Sequence, residues 1–156
     1  MSVVKVLKTH SFLAGMPDEY VELIADCSQE KEFLKGQHLL RFQQTADEFY
    51  FLLSGQVTIL NHVPGRKTAE LETISSPNVL GWSWLMPPYR WHFDVKAKTD
   101  VKSIYVHAAC LRGKMQTDTV FGCEMYSRFI EIIVDRLQAA RLQGMDIYAS
   151  PEGSLS

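Results

Sequence analysis

The sequence predicts a mainly β protein in which an antiparallel barrel or sandwich is flanked by helices. Short β-prone runs, separated by turn residues, recur about every ten residues between positions 36 and 107. An amphipathic helical pattern precedes these runs, and a second helical pattern of about 25 residues follows them. With 156 residues, 46% of them apolar, the chain is expected to form one domain around one core.

A short helix is expected directly after Pro17. Proline is favoured at the start of a helix, and the acidic side chains of Asp18 and Glu19 complement the positive end of the helix dipole. The predicted apolar face of this helix consists of Tyr20, Leu23, Ile24 and Cys27.

The central part of the chain has strand character. The β-prone runs lie at residues 39–42, 49–53, 56–60, 68–74, 93–97 and 101–106. Ser54-Gly55 provides one turn, and the polar segment 61–67 with Pro64-Gly65 provides another. Strands at such short intervals favour an antiparallel roll over βαβ units.

The C-terminal part from Asp118 to about residue 143 is predicted to be one long helix. Its apolar residues alternate in steps of three and four, as in a coiled-coil seam, at Cys123, Tyr126, Ile130, Ile133, Leu137 and Ala140. Two interpretations remain open: Tyr126 to Ala140 pair with a second copy of the chain, or the helix packs on its own core. Phe129 and Val134 widen the stripe towards the second interpretation. The tail, residues 146–156, is rich in Ser, Gly and Pro and is expected to be flexible.

Charge and cysteine content narrow the class of protein. The 16 basic and 18 acidic residues are scattered and give a net charge of -2, which argues against nucleic-acid binding. No signal-peptide pattern and no apolar run of about 18 residues is present, so a cytoplasmic protein without membrane contact is expected. Cys27, Cys110 and Cys123 are widely spaced and are expected to be reduced, mostly buried thiols.

The segment GQHLLRFQQTADEFYFLLSGQVTIL, residues 36–60, resembles the signature of the cyclic nucleotide-binding domain family. The matching positions are Gly36, Leu39, Asp47, Phe49, Tyr50, Leu52, Gly55 and Val57. Gln43-Gln44 departs from the signature, because the family usually has Gly at this turn.

The resemblance extends from about Leu7 to Leu142 and implies an antiparallel double-stranded β-helix (jelly roll). A short N-terminal helix, a cassette helix and a long C-terminal helix would complete it. The domain would span 1–145, with the roll at about 36–107 and the C-terminal helix at about 118–143. It also implies a regulatory, ligand-sensing protein.

By this resemblance VLGWSWLMPPYRWHFDVKA, residues 79–97, lies where the family has its phosphate-binding cassette. Such a cassette joins a helix N-terminus and an Arg, which together hold a phosphate, to a Glu that accepts a ribose hydroxyl. Here Trp82 stands in place of the Glu and Trp91 in place of the Arg, with Arg90 one residue early. The candidate ligand-binding residues are Gly81, Trp82, Ser83, Trp84, Leu85, Arg90, Trp91 and His92.

These departures argue against binding of cyclic AMP in the usual manner. A tryptophan cannot accept a hydrogen bond from ribose, and a shift by one residue along a strand turns Arg90 to the opposite face, whereas His92 has the inward parity. The aromatic residues form a hydrophobic plug, or they line an altered pocket in which Arg90 or His92 holds a small anionic or planar ligand. Exposed tryptophans as a docking site for a protein partner are a third alternative, and a genuine cyclic nucleotide-binding protein is a fourth.

Other classes fit the sequence less well. A cupin-like metal enzyme would need an H-x-H pair, which the five histidines do not form, so neither a metal site nor catalysis is expected. A transcription factor would need a DNA-binding unit after the long helix, for which about a dozen residues are insufficient. The expected protein is a stand-alone regulatory module.

Overall fold

The structure is a computed structural model and describes residues 2–61, 65 and 68–148. Two helices, α1 (Val3–Lys8) and α2 (Asp18–Asp26), precede the strands, with a 3-10 turn at Ser11–Leu13 between them. Two more helices, α3 (Ala108–Thr117) and α4 (Thr119–Tyr148), follow the strands.

The described residues form eight strands in two antiparallel sheets. The strands are β1 (Ser28–Phe33), β2 (His38–Leu40), β3 (Glu48–Ser54), β4 (Gln56–Asn61), β5 (Ala69–Ser75), β6 (Asn78–Leu80), β7 (Asp94–Ala97) and β8 (Val101–His107). One sheet has the order β1-β8-β3-β6 and the other β2-β7-β4-β5. This arrangement confirms the predicted jelly roll with flanking helices.

Strand β3 lies at the centre of the core. Its residues Phe49 to Leu52 are all buried, because the opposite sheet covers one face and the helices cover the other. Such burial on both faces explains the continuous apolar run in the sequence, which has none of the alternation of a half-exposed strand.

Helix α4 has two apolar faces, one buried and one exposed. Phe121, Met125 and Phe129 are buried against the roll, whereas Ile130 and Leu137 of the predicted seam are 57% and 50% exposed. The two sequence interpretations therefore apply to different faces. Phe129 belongs to the core, whereas Val134, which was expected to extend the core stripe, is 42% exposed; in the seam, Ile133 is half-buried.

Arg128 fastens the N-terminal segment to α4. Its Nη1 donates hydrogen bonds to the carbonyl oxygens of Phe12 (2.6 Å) and Ala14 (3.0 Å), and its Nε contacts Glu124 at 2.8 Å. Beneath this segment, the Nδ1 of the buried His10 accepts the Phe12 N–H at 3.1 Å. Burial lowers the pKa of His10, which keeps the imidazole neutral and able to accept that bond.

Several elements differ from the sequence predictions. The roll begins with β1 at Ser28, not near residue 36, and α1, β6 and α3 had no predicted counterpart. Helix α4 ends at Tyr148, so the first residues of the predicted tail 146–156 are helical; residues 149–156 lie outside the described part. In the predicted turn 61–67, residues 62–64, 66 and 67 also lie outside it.

Strand β1 shows why tertiary pairing can override local preference. Its sequence SQEKEF is polar, and four of its six residues are exposed. It nevertheless pairs with β8 along its whole length, from Ser28 opposite Val106 to Phe33 opposite Val101. Neighbouring strands decide strand formation more strongly than intrinsic β-propensity does.

The expectation of three reduced thiols is wrong for two of them. Cys27 and Cys110 form a disulfide, with an S–S distance of 2.05 Å and Cα atoms 5.8 Å apart, whereas Cys123 is free and exposed, not buried. The backbone N–H of His107 donates to the carbonyl of Cys27 at 2.8 Å, so α3 begins beside the end of α2. A sequence separation of 83 residues gave no indication of this contact.

We expect Cys110→Ser to lower the free energy of unfolding by about 2 to 5 kcal/mol, because the disulfide closes a long loop in the unfolded chain. Chemical denaturation with and without a reductant measures this difference. Cys123→Ser is the matched control and should remain within about 0.5 kcal/mol of the parent. A parent protein whose unfolding is unchanged by the reductant would contradict the crosslink.

Candidate functional site

The chain between β6 and β7 forms the candidate cassette. Gly81 follows β6 with φ +99°, and Trp82 precedes a single 3-10 turn, Ser83–Leu85, in which the Leu85 N–H donates to the Trp82 carbonyl at 3.0 Å. The predicted cassette helix therefore exists, although it is only three residues long.

Trp84 anchors the cassette in the core. Its fully buried indole stacks on Phe49, with ring centroids 4.6 Å apart and an angle of 7° between the planes, and it meets Phe129 edge-on at 5.4 Å. From α3, Arg112 donates to the Trp84 carbonyl at 2.7 Å and stacks on Tyr89 at 4.2 Å. The Trp84 Nε1 has no hydrogen-bond acceptor among the described residues, so the contacts that hold this indole are its ring contacts and its carbonyl bond.

Trp91 occupies the space directly above Gly81. The indole is 5% exposed, and a Cβ placed on Gly81 would lie 2.7 Å from its Cη2 atom. Backbone hydrogen bonds hold Trp91 in place: its carbonyl accepts from Gln43 at 2.8 Å and its N–H donates to Gln44 at 3.1 Å. The position that the family gives to an arginine is thus an internal side chain packed on the cassette backbone.

Gln43 adopts the backbone conformation that the family usually gives to glycine. Its φ is +66°, in the left-handed region that is unfavourable for residues with a Cβ. The loop keeps the expected turn and accepts strain there, one of the two outcomes considered from the sequence.

A cavity of about 70 Å³ remains beside the cassette. Ligand pockets in proteins are usually about 300 Å³ or larger, so the cavity is small for a nucleotide. The lining residues are Leu40, Ile59, Leu80, Gly81, Trp82, Ser83, Trp91, His92, Phe93, Val95 and Arg136.

Arg136 of α4 is a site residue that the sequence reading missed. Its Nη2 donates to the Val79 carbonyl at 2.7 Å, and its guanidinium carbon lies 4.9 Å from the ring centroid of the half-buried Trp82. Burial lowers the pKa of Arg136, while the charge of Glu72 acts in the opposite direction. The available signal was helical spacing, since Arg136 continues the buried face of Phe129 by seven residues.

Of the predicted polar residues, Ser83 and His92 line this cavity and Arg90 does not. Arg90 is exposed and donates from Nη1 to the Gln43 carbonyl at 2.9 Å, on the side away from the roll interior. His92 lines the cavity but is exposed, despite its inward parity. Ser83 lines the cavity and is half-buried. Arg136 thus lines the cavity in which Arg90 was considered.

Two of the tryptophans are unsuitable as docking residues. Trp84 and Trp91 are 0% and 5% exposed, so a partner protein could reach neither without opening the fold. Trp82 is half-buried, and Met86 and Phe93 provide the exposed apolar surface of the cassette. Of the three tryptophans, only Trp82 is accessible enough to contact a partner protein.

Other site types have no counterpart in the described part of the chain. No group of three or more His, Cys, Asp or Glu residues there could hold a metal ion. None of the helices in the same part is long and apolar enough to cross a membrane.

The fold and the cassette define a class of ligand-sensing jelly-roll domains. The family model described as "Cyclic nucleotide-binding domain" matches residues 30–118, which is more than half of the chain. The chain therefore belongs to the cyclic nucleotide-binding domain family. No curated protein sequence matches it.

Solved structures share this fold at low sequence identity. A Geobacter metallireducens GS-15 protein assigned to the cyclic nucleotide-binding proteins is 23% identical, with a TM-score of 0.79 over 88% of this chain and 99% of its own. The regulatory domain of Toxoplasma gondii PKA, solved with cAMP, is 19% identical with a TM-score of 0.65 over 80% of this chain and 48% of its own.

A further neighbour is described as cAMP-independent. It is the regulatory subunit of a cAMP-independent protein kinase A from Trypanosoma brucei, 17% identical, with a TM-score of 0.68 over 88% of this chain and 46% of its own. Below 25% identity these similarities establish the fold alone.

We expect Gly81→Ala to destabilise the protein more than Gly36→Ala. Both glycines have φ above +90°, so the backbone strain of about 1 to 2 kcal/mol is shared. A Cβ at Gly36 meets no atom within 4 Å, whereas at Gly81 it meets the Trp91 ring, which should add about 1 to 3 kcal/mol. Thermal and denaturant unfolding measure the difference.

A second substitution separates the ring clash from the backbone strain. Trp91→Phe shortens the ring and should recover part of the loss caused by Gly81→Ala but none of that caused by Gly36→Ala. Equal losses for the two alanine variants would show that Trp91 does not pack on Gly81.

Proposed function

We propose that the protein is a non-enzymatic regulatory module that does not bind cyclic AMP in the manner usual for its family. The observation that carries this proposal is the Trp91 indole, which packs on Gly81 and leaves a cavity of only about 70 Å³. The plug interpretation is favoured over an open nucleotide pocket, because removing the ring would require a large rearrangement of packed groups.

The polar groups around the cassette support the same conclusion. Trp82 offers one N–H donor and no acceptor for a ribose hydroxyl, and Arg90 is bound to the Gln43 carbonyl outside the cavity. An unpartnered ribose hydroxyl would cost about 1 to 3 kcal/mol of binding free energy, and exclusion by the two indoles adds to it.

The solved neighbours are compatible with either ligand behaviour. One of them contains cAMP and another is described as cAMP-independent, so the fold by itself does not decide which applies to this chain. A genuine cyclic nucleotide-binding signalling protein is the second candidate, favoured by the family membership and by Gly81.

Calorimetric titration distinguishes the two candidates. We expect no detectable binding of cyclic AMP or cyclic GMP to the parent. The double variant Trp82→Glu/Trp91→Arg restores the usual Glu and Arg of the cassette, and its dissociation constant should be at least about tenfold below the detection limit of the titration. Micromolar binding of cyclic AMP to the parent would refute the proposal.

A control for the plug does not depend on nucleotide binding. Trp91→Ala should lose about 3 to 5 kcal/mol of stability, and free indole should restore part of it by refilling the vacated space. Trp84→Ala is the control, because Trp84 is buried but does not line the cavity. It measures how much stability free indole restores at a buried site elsewhere in the core.

Self-association through α4 is also part of the proposed function. The seam Tyr126, Ile130, Ile133, Leu137 and Ala140 has coiled-coil spacing. The buried face of α4 uses other residues, so the protein's own core does not account for Ile130 and Leu137. A second copy presents the same stripe, which is the self-complementary requirement of a twofold interface.

We expect Ile130→Lys to convert a dimer into a monomer, because a charge would be buried at the centre of the seam. Leu142→Lys is the matched control, since Leu142 is 61% exposed on the same helix but off the seam, and it should leave the mass unchanged. Light scattering measures both variants. An equal effect of the two substitutions, or a monomeric parent, would contradict a dimer through this seam.

A cytoplasmic location remains part of the proposal. The Cys27–Cys110 disulfide is unusual for a reducing compartment, where such bonds are often redox-active, and so it counts against this element.

A further inference from the structure

The cavity beside the cassette combines an apolar interior with one positive group. Leu40, Ile59, Leu80 and Val95 contribute aliphatic side chains to its lining, and Trp82 and Trp91 contribute indoles. Arg136 is the only arginine or lysine in that lining. A space of this kind suits a ligand with a hydrocarbon body and a single negative end.

The guanidinium of Arg136 has few direct partners, although the charge of Glu72 acts on it. Of its five N–H donors, the described part of the protein provides an acceptor for one, the Val79 carbonyl, and no described carboxylate lies within 4 Å. Trp82 stabilises one face of the guanidinium by a cation–π contact, but it accepts no hydrogen bond. A partly buried guanidinium with free donors is a strong receptor for an oxyanion.

We propose that this cavity binds a short-chain monocarboxylate, with the carboxylate on Arg136 and the hydrocarbon tail between the indoles and the aliphatic side chains. The inference rests on the proposed function, because the cavity has this size only while Trp91 occupies the nucleotide position.

Volume and charge define the ligand class. A volume of about 70 Å³ is far below the about 300 Å³ of usual ligand pockets, which restricts the ligand to a few non-hydrogen atoms, and butyrate is the test compound chosen at that size. A planar carboxylate matches the guanidinium fork, and one cation balances one negative charge. Inorganic phosphate carries up to two charges and no tail, and the three-residue cassette turn is too short to provide a helix N-terminus for it.

The three tryptophans report the binding position directly. In an NMR titration of the parent protein with sodium butyrate, the indole N–H resonances of Trp82 and Trp91 should shift and saturate, while that of Trp84 should not, since Trp84 does not line the cavity. Butyramide, which has the same tail without charge, and phosphate, which has charge without a tail, should each bind at least about tenfold more weakly. Sodium chloride at equal ionic strength serves as the blank.

Variants then assign the receptor. Arg136→Gln retains a donor for the Val79 carbonyl and should weaken butyrate binding at least about tenfold, whereas Arg136→Lys should weaken it less. Arg90→Gln, at an exposed arginine outside the cavity, should leave the affinity unchanged. Parallel unfolding curves confirm that each variant is folded.

Absence of saturable butyrate shifts in the parent would overturn this inference, as would equal binding by butyramide or by Arg136→Gln. Titration with cyclic AMP in the same series separates this result from the proposed function. If neither butyrate nor cyclic AMP binds, only the carboxylate site is wrong. If cyclic AMP binds the parent with micromolar affinity, the proposed function is wrong.

Discussion

The contact between the Trp91 indole and the backbone of Gly81 governs the architecture of the site. Gly81 must lack a Cβ for two reasons, because its φ is +99° and because the ring lies in the space that a side chain would need. The contact joins the start of the cassette to the segment that precedes β7. It also determines the remaining volume of the cavity, and through that volume the size of any ligand.

Three arginines fasten the helical layer to the roll through backbone carbonyls. Arg112 bonds to Trp84, Arg128 to Phe12 and Ala14, and Arg136 to Val79. Each carbonyl belongs to the cassette, to the strand before it or to the N-terminal segment. Guanidinium bonds to neutral carbonyls hold these segments without requiring a buried carboxylate, whose desolvation would be costly.

The sequence was sufficient for the fold but only partly sufficient for the site. Turn residues at short intervals predicted the antiparallel roll, and helical spacing predicted α2 and α4, since both signals are local. Strand β1 and the Cys27–Cys110 disulfide depend on contacts with residues 68 to 83 positions away, for which the local sequence carries no signal. The three tryptophans are chemically alike, and only their packing separates the core anchor Trp84 from Trp91, which packs on Gly81, and from the half-buried Trp82. Arg136 was not predicted as a site residue, because an arginine within a helix is ordinarily exposed to solvent.

Helix α4 connects the two proposals physically. Arg136, which lines the cavity, and Leu137, in the exposed seam, are consecutive residues and project about 100° apart around one helix. If the proposed carboxylate displaced Arg136, the shared helix would carry that displacement to the seam. Because coupling between two binding events is reciprocal, pairing of α4 with a second copy would change the affinity of the cavity by the same factor. Packing of Trp91 on Gly81 is therefore compatible with regulation, because Arg136 has donors beyond the one that bonds to the Val79 carbonyl.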